Sequence, residues 1–213
     1  MWFFGHLGFT LAAAAVAEAA LLRPKSSGDL ATTERATALA GGSDSHGQGF
    51  VKRWVTGGPA TLSEGFDYRL VAISSLLPDV DKPISLLLLG TFDRGYLHTA
   101  LAGFLLIAAA VWLFRARGDT RLLQVAFGWS LHMGLDQVWR DPHLFLWPFS
   151  GGRPTGSHLT VVAVADYMER SLTTDPYQYV PEVIGAILAL FFLARIIRSG
   201  LRGFLQTGRM DRP

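Results

Sequence analysis

Four apolar runs in this chain reach the length of a membrane span, and each of the first three carries a histidine, a metal-ligand type. The runs are Trp2 to Leu22, Tyr96 to Phe114, Leu122 to Val138 and Val180 to Ile197. At a rise of about 1.5 Å per residue, about 20 apolar residues cross the hydrocarbon core. His6 lies in the first run, His98 at the start of the second, and His132 and Asp136 near the end of the third. A polar group in such surroundings is costly unless it is paired or functional.

A fifth apolar segment, Asp67 to Gly90, is interrupted by Pro78, Asp79, Asp81, Lys82 and Pro83. Proline inside a helix removes a hydrogen bond and clashes with the preceding turn. The segment is therefore expected as two half-helices, Tyr68 to Leu77 and Ile84 to Leu89, separated by an acidic turn. Broken backbone at membrane depth is tolerated only where protein or water surrounds it. The fold class expected is all-α: a polytopic helical bundle of about four transmembrane helices plus the broken helix at 67–90.

Composition agrees. Half of the 213 residues are hydrophobic, only 17% are charged, and the net charge is +2. Lys and Arg collect at the ends of the apolar runs, a pattern that orients helices in a bilayer and is no nucleic-acid footprint. Absence of cysteine excludes disulfides and thiolate ligands, so a metal would be held by His, Asp, Glu, backbone or water.

The chain is expected to be a single membrane domain over 1–213. Within it, 24–66 form a flexible Ser/Gly-rich loop or insertion, with a short helix near Leu30 to Leu39, and 198–213 a basic cytoplasmic tail. His46 reads as a solvated loop residue. Ala15-Val16-Ala17 has the form of a signal-cleavage site, but no basic residue precedes the run, so a retained helix is favoured. A short amphipathic helix is expected around Val161 to Leu172. Trp147-Pro148-Phe149 reads as an interfacial aromatic belt, or as a wall of a pocket mouth.

Positive-inside reasoning places Arg23/Lys25, Arg115/Arg117/Arg121 and the arginine-rich C-terminus in the cytoplasm. His6, His98, His132 and Asp136 then share the outer leaflet. His132 and Asp136 are at i,i+4 and project from one helix face. The pair can bind one metal, or the carboxylate can orient the histidine, or both can be a buried polar link between helices. Asp79 and Asp81 crowd two carboxylates into one turn, which a divalent cation would relieve; capping of the following half-helix is the plainer role. Thr99 can bond back to its own helix. His143 and His158 are secondary candidates. Glu182 is a helix-dipole partner or a further ligand. Arg94 is an interfacial anchor or a partner for a substrate phosphate.

Taken together, His6, the LLPDVD turn, Arg94-Gly95-x-x-His98-Thr99, His132-x-x-x-Asp136 and Trp147-Pro148 resemble the YdjM-like family of membrane-bound metal-dependent hydrolases. The likeness covers residues 1–22 and about 68–195 of the chain. The family is regarded as distantly related to zinc-dependent phospholipase C and single-strand nucleases. The resemblance implies His6, Asp79, Asp81, His98, His132 and Asp136 as metal ligands, with Asp79 or Asp81 bridging metals or accepting the proton of a water. Asp93 stands where the family often has histidine, and can still bind a hard metal.

The function expected is therefore metal-dependent hydrolysis of a phosphoester or lipid-linked substrate near the outer leaflet, with zinc as the first candidate metal and manganese the second. The expected partners are the bilayer and a membrane lipid or small molecule, in a prokaryotic plasma membrane. A metal-ion or proton-linked transporter using the same His/Asp cluster is the alternative, since broken helices often line transport sites. The chain has no Gly-rich phosphate loop and no G-x-S-x-G elbow, so nucleotide-driven and serine-hydrolase readings have no support.

Overall fold

The computed structural model describes residues 3–21, 65–89, 94–152 and 161–210. Residues 24–64 of the expected loop, with the helix near Leu30 to Leu39 and His46, lie outside the described residues, as do Asp93 and His158. All regular structure among the described residues is helical: α1 (Phe3–Leu21), α2 (Tyr68–Ser74), α3 (Asp81–Leu89), α4 (Ala100–Arg117), α5 (Arg121–Leu135), α6 (Pro142–Phe145), α7 (Val161–Thr173), α8 (Pro176–Ser199) and α9 (Leu201–Thr207). Single 3₁₀ turns occupy Pro78–Val80, Tyr96–His98 and Val138–Arg140.

Among the described residues three helices, α1, α4 and α8, are long and apolar enough to cross a membrane. The third run, Leu122 to Val138, is shorter as a helix than its composition suggests. Helix α5 stops at Leu135, because Gln137 adopts a left-handed backbone with φ of 50° and turns the chain away directly after Asp136. Helix α8 begins four residues before Val180, where Asp175 accepts the N–H of Tyr177 and Pro176 takes the first helical position. The broken segment divides earlier than its hydropathy suggests, with α2 ending at Ser74 and α3 beginning at Asp81. Pro83 sits in the first turn of α3, where its missing N–H costs nothing.

Helices α1 and α8 pack in parallel and very closely. A Cβ on Gly8 would lie 2.7 Å from the Cα of Gly185, so only glycine permits this approach. At the N-terminal end of the pair, the Glu182 carboxylate accepts the N–H of Gly5 at 3.0 Å. Farther along, Leu11, Ala14, Tyr68, Val71 and Phe192 form one buried core. A second core, Trp129, Met133, Val138 and Leu144, lies under α5 and α6.

Helix α2 runs alongside α5 in the same direction. Asp67 N–H donates to Gln124 Oε1 at 2.7 Å at one end, and the Ser75 carbonyl meets His132 at the other. Residues 118–120 join α4 to α5, which are therefore antiparallel. Thr99 caps α4 by accepting the N–H of Ala102, the local role expected of it. Segment 201–210 is ordered by contacts at the far end of the bundle. The N–H of Tyr68 donates to the Gly208 carbonyl at 2.8 Å, and Arg69 Nη1 donates to that of Leu205.

These directions give the bundle two unlike ends. His6, His98, His132 and Asp136 lie where α1, α4 and α8 begin and α5 finishes. Arg115, Arg117, Arg121, Arg198 and Arg202 lie at the other.

Candidate metal centre

The acidic turn between α2 and α3 delivers Asp79, and the 3₁₀ turn before α4 delivers His98. The last turn of α5 delivers His132, with Asp136 just beyond it. One donor atom from each of these four residues lies within 4.8 Å of the others, a group able to hold a metal ion. All three histidines His6, His98 and His132 are fully buried.

The imidazole of His132 has a defined orientation. Its Nδ1–H donates to the Ser75 carbonyl at 2.7 Å, which leaves the Nε2 lone pair directed into the cluster. His132 Nε2 lies 3.5 Å from Asp79 Oδ1 and 3.8 Å from Asp136 Oδ2. His98 Nε2 also lies 3.5 Å from Asp79 Oδ1. Neither nitrogen has a hydrogen-bond partner, although both are buried.

Those separations are too long for hydrogen bonds. They suit neighbouring corners of a tetrahedron, because two donors at about 2.1 Å from one zinc ion stand about 3.4 Å apart. An unpaired buried donor or acceptor costs about 1–3 kcal/mol, so two imidazole nitrogens aimed at one carboxylate oxygen are hard to explain by packing alone. The donor set of two imidazoles and two carboxylates fits a divalent metal ion.

Asp81 stands beside the group. Its Oδ2 accepts the N–H of Leu97 at 2.7 Å and of Gly95 at 3.2 Å, and lies 3.5 Å from His98 Nδ1. It thus ties the turn carrying His98 to the start of α3, across the chain from the capping position expected at Ile84. Gly95 lets the backbone come this close, since a Cβ there would meet the Asp81 carboxyl carbon at 3.1 Å. His6 also flanks the group: its Nε2 lies 3.0 Å from Asp136 Oδ1, and its ring stacks on His132 with centroids 3.9 Å apart.

Two cations face the carboxylates. Arg94 Nη2 donates to Asp136 Oδ2 at 2.7 Å, so this arginine is more than an interfacial anchor. Lys82 forms an ion pair with Asp79 Oδ1. Glu182 serves the N-terminus of α1 through Gly5 and lies outside the four-residue group. His143 is exposed on α6 and also stands apart. Trp147 packs edge-on against Tyr96, at 5.0 Å, beside the turn that carries His98.

Sequence reasoning did not find the Ser75 carbonyl or the pairing of Lys82. A backbone acceptor has no side-chain signature, and an i,i+3 Asp–Lys pair looks like any surface pair.

A family model described as YdjM inner membrane protein matches residues 1–202. The chain belongs to the YdjM inner membrane protein family. This match and the three apolar helices make it an integral membrane protein, and the His/Asp group gives it a place for a metal ion. The match extends across the 24–66 segment as well as the parts on which the resemblance rested. No curated protein and no solved structure matches the chain.

Proposed function

We propose that this YdjM-family protein is a membrane-embedded metal-dependent hydrolase acting on a phosphoester or lipid-linked substrate. The observation that carries it is the convergence of His98 Nε2 and His132 Nε2 on Asp79 Oδ1, each at 3.5 Å, with no hydrogen bond satisfying either nitrogen. Asp79, His98, His132 and Asp136 would hold the metal. A bound divalent ion would supply a water of lowered pKa and polarise the oxygen of the scissile group.

The chain's own residues then divide the remaining work. Ser75 holds the His132 ring, Asp81 holds the turn of His98, and His6 holds Asp136. Asp79 is the most exposed member of the cluster, its side chain 23% accessible, which supports it as the carboxylate that would accept a proton from an attacking water. His6, His132 and Asp136 form the closed wall.

The cluster lies at one end of the bundle, which supports access from one face and so favours an enzyme over a transporter. The arginines at the opposite end support a cytoplasmic placement for that end and for the C-terminus.

The test is elemental analysis of the full chain purified in detergent, comparing wild type with a His132→Ala/Asp136→Ala double variant, followed by phosphoester and lipid-phosphate hydrolysis assays. Stoichiometric metal and activity, both lost in a variant that stays folded, are expected. Absence of bound metal after metal-replete purification overturns the proposal.

A further inference from the structure

The cluster contains two basic side chains that metal binding does not require. Lys82 pairs with Asp79 Oδ1, the same oxygen that lies 3.5 Å from His98 Nε2 and from His132 Nε2. Arg94 pairs with Asp136 Oδ2, the oxygen nearer His132. A metal ion and these two cations therefore compete for the same carboxylate oxygens.

Charge and position both give this competition a direction. Asp79, Asp81 and Asp136 carry three negative charges, against two positive charges on Lys82 and Arg94. With the imidazoles neutral, a divalent ion converts an excess of one negative charge into an excess of one positive charge. In a low-dielectric setting such an excess attracts an anion strongly. Both cations retain some exposure, Arg94 34% and Lys82 14%, whereas the side chains of His6, His98, His132 and Asp136 are fully enclosed. A guanidinium and an ammonium, each paired with an acid of the one cluster, suit a phosphate-like oxyanion, the first by its planar fork and the second as a point charge.

We infer that Lys82 and Arg94 form an exchangeable oxyanion-binding pair at the mouth of the metal centre. Their carboxylate partners hold them until a metal takes Asp79 and Asp136, and the pair then binds a phosphate-like group. This rests on the metal reading above and adds to it a recognition element and a substrate charge.

The test uses the full chain in detergent and two binding titrations, neither of which needs turnover. Zinc is titrated, with a competing chelator, into wild type, Lys82→Gln and Arg94→Gln. Inorganic phosphate is then titrated into each zinc-loaded protein after free zinc is removed. Lys82→Met and Arg94→Met supply second neutral variants if either glutamine form misfolds.

Each neutral variant should bind zinc about tenfold more tightly, because a competing positive charge is gone. Each should bind phosphate at least about tenfold more weakly. Weaker zinc binding in the variants, or phosphate affinity within about twofold of wild type, overturns the inference and leaves the metal reading standing. A wild type that binds no zinc or manganese overturns the metal reading itself.

Discussion

His132 donates its Nδ1–H to the backbone carbonyl of Ser75 at 2.7 Å, joining the last turn of α5 to the end of α2. This one bond sets the tautomer and the ring orientation and aims Nε2 at Asp79. It also places the nitrogen that faces Asp79 and a structural hydrogen bond on opposite sides of one ring, so the two are separable by substitution.

His132→Asn should keep a donor near the Nδ1 position while removing the nitrogen aimed at Asp79. Metal binding is then lost with little change in thermal stability. His132→Leu removes both groups, strands the Ser75 carbonyl and should cost a further ~1–3 kcal/mol. Metal analysis and detergent melting curves of the two variants, measured side by side, check this; equal stability would deny the Ser75 bond its structural role.

Asp81 should behave differently from Asp79. Asp79 offers its oxygen to both cluster histidines, whereas Asp81 spends its Oδ2 on the N–H groups of Gly95 and Leu97 and so holds the turn that carries His98. Asp81→Asn should lower metal affinity about 10–100-fold and retain stoichiometry at saturation. Asp79→Asn should abolish binding. Competition titrations with a chromophoric chelator distinguish the two, and similar losses would make both direct ligands.

Gly8→Ala should open the α1–α8 contact, since the new methyl would meet the Gly185 backbone. The expected cost is about 1–3 kcal/mol of stability, as for other overpacking substitutions. His6 lies two residues away and contacts Asp136, so metal affinity should fall with it. Melting temperature and metal content measured on one preparation report both effects.

Glu182→Gln tests positioning against ligation. The carboxylate accepts the Gly5 N–H near the positive end of α1, and its neutral isostere keeps an acceptor but loses the charge. A loss of about 1 kcal/mol with metal stoichiometry retained is expected. Loss of stoichiometric metal from a folded variant would place Glu182 among the ligands.

The helices were legible because their signals are local. Apolar length marks α1, α4 and α8, and Pro78 with Pro83 marks the break between α2 and α3. Helix limits were less legible: α5 ends through the left-handed Gln137, a residue with no special preference for that conformation, and α8 begins at a cap lying outside its apolar run. The six candidate residues all lie at or beside one site. Spacing alone did not separate Asp79, His98, His132 and Asp136, which share a common centre, from His6 and Asp81, which flank it.

By itself, the sequence determined that this is a helical membrane protein with histidines and aspartates placed where apolar surroundings make them expensive. It also determined that Arg115, Arg117, Arg121 and Arg198 stand at the ends of their runs opposite the histidines and Glu182. Only the tertiary structure decided that the Asp79 carboxylate meets both His98 and His132, that Ser75 orients one ring, and that Lys82 and Arg94 answer the acids. Hydropathy and helix spacing act over a few residues of chain. The site is made by contacts such as His6 with Asp136, 130 residues apart, whose existence depends on how closely α1 can approach its neighbours and not on any local pattern.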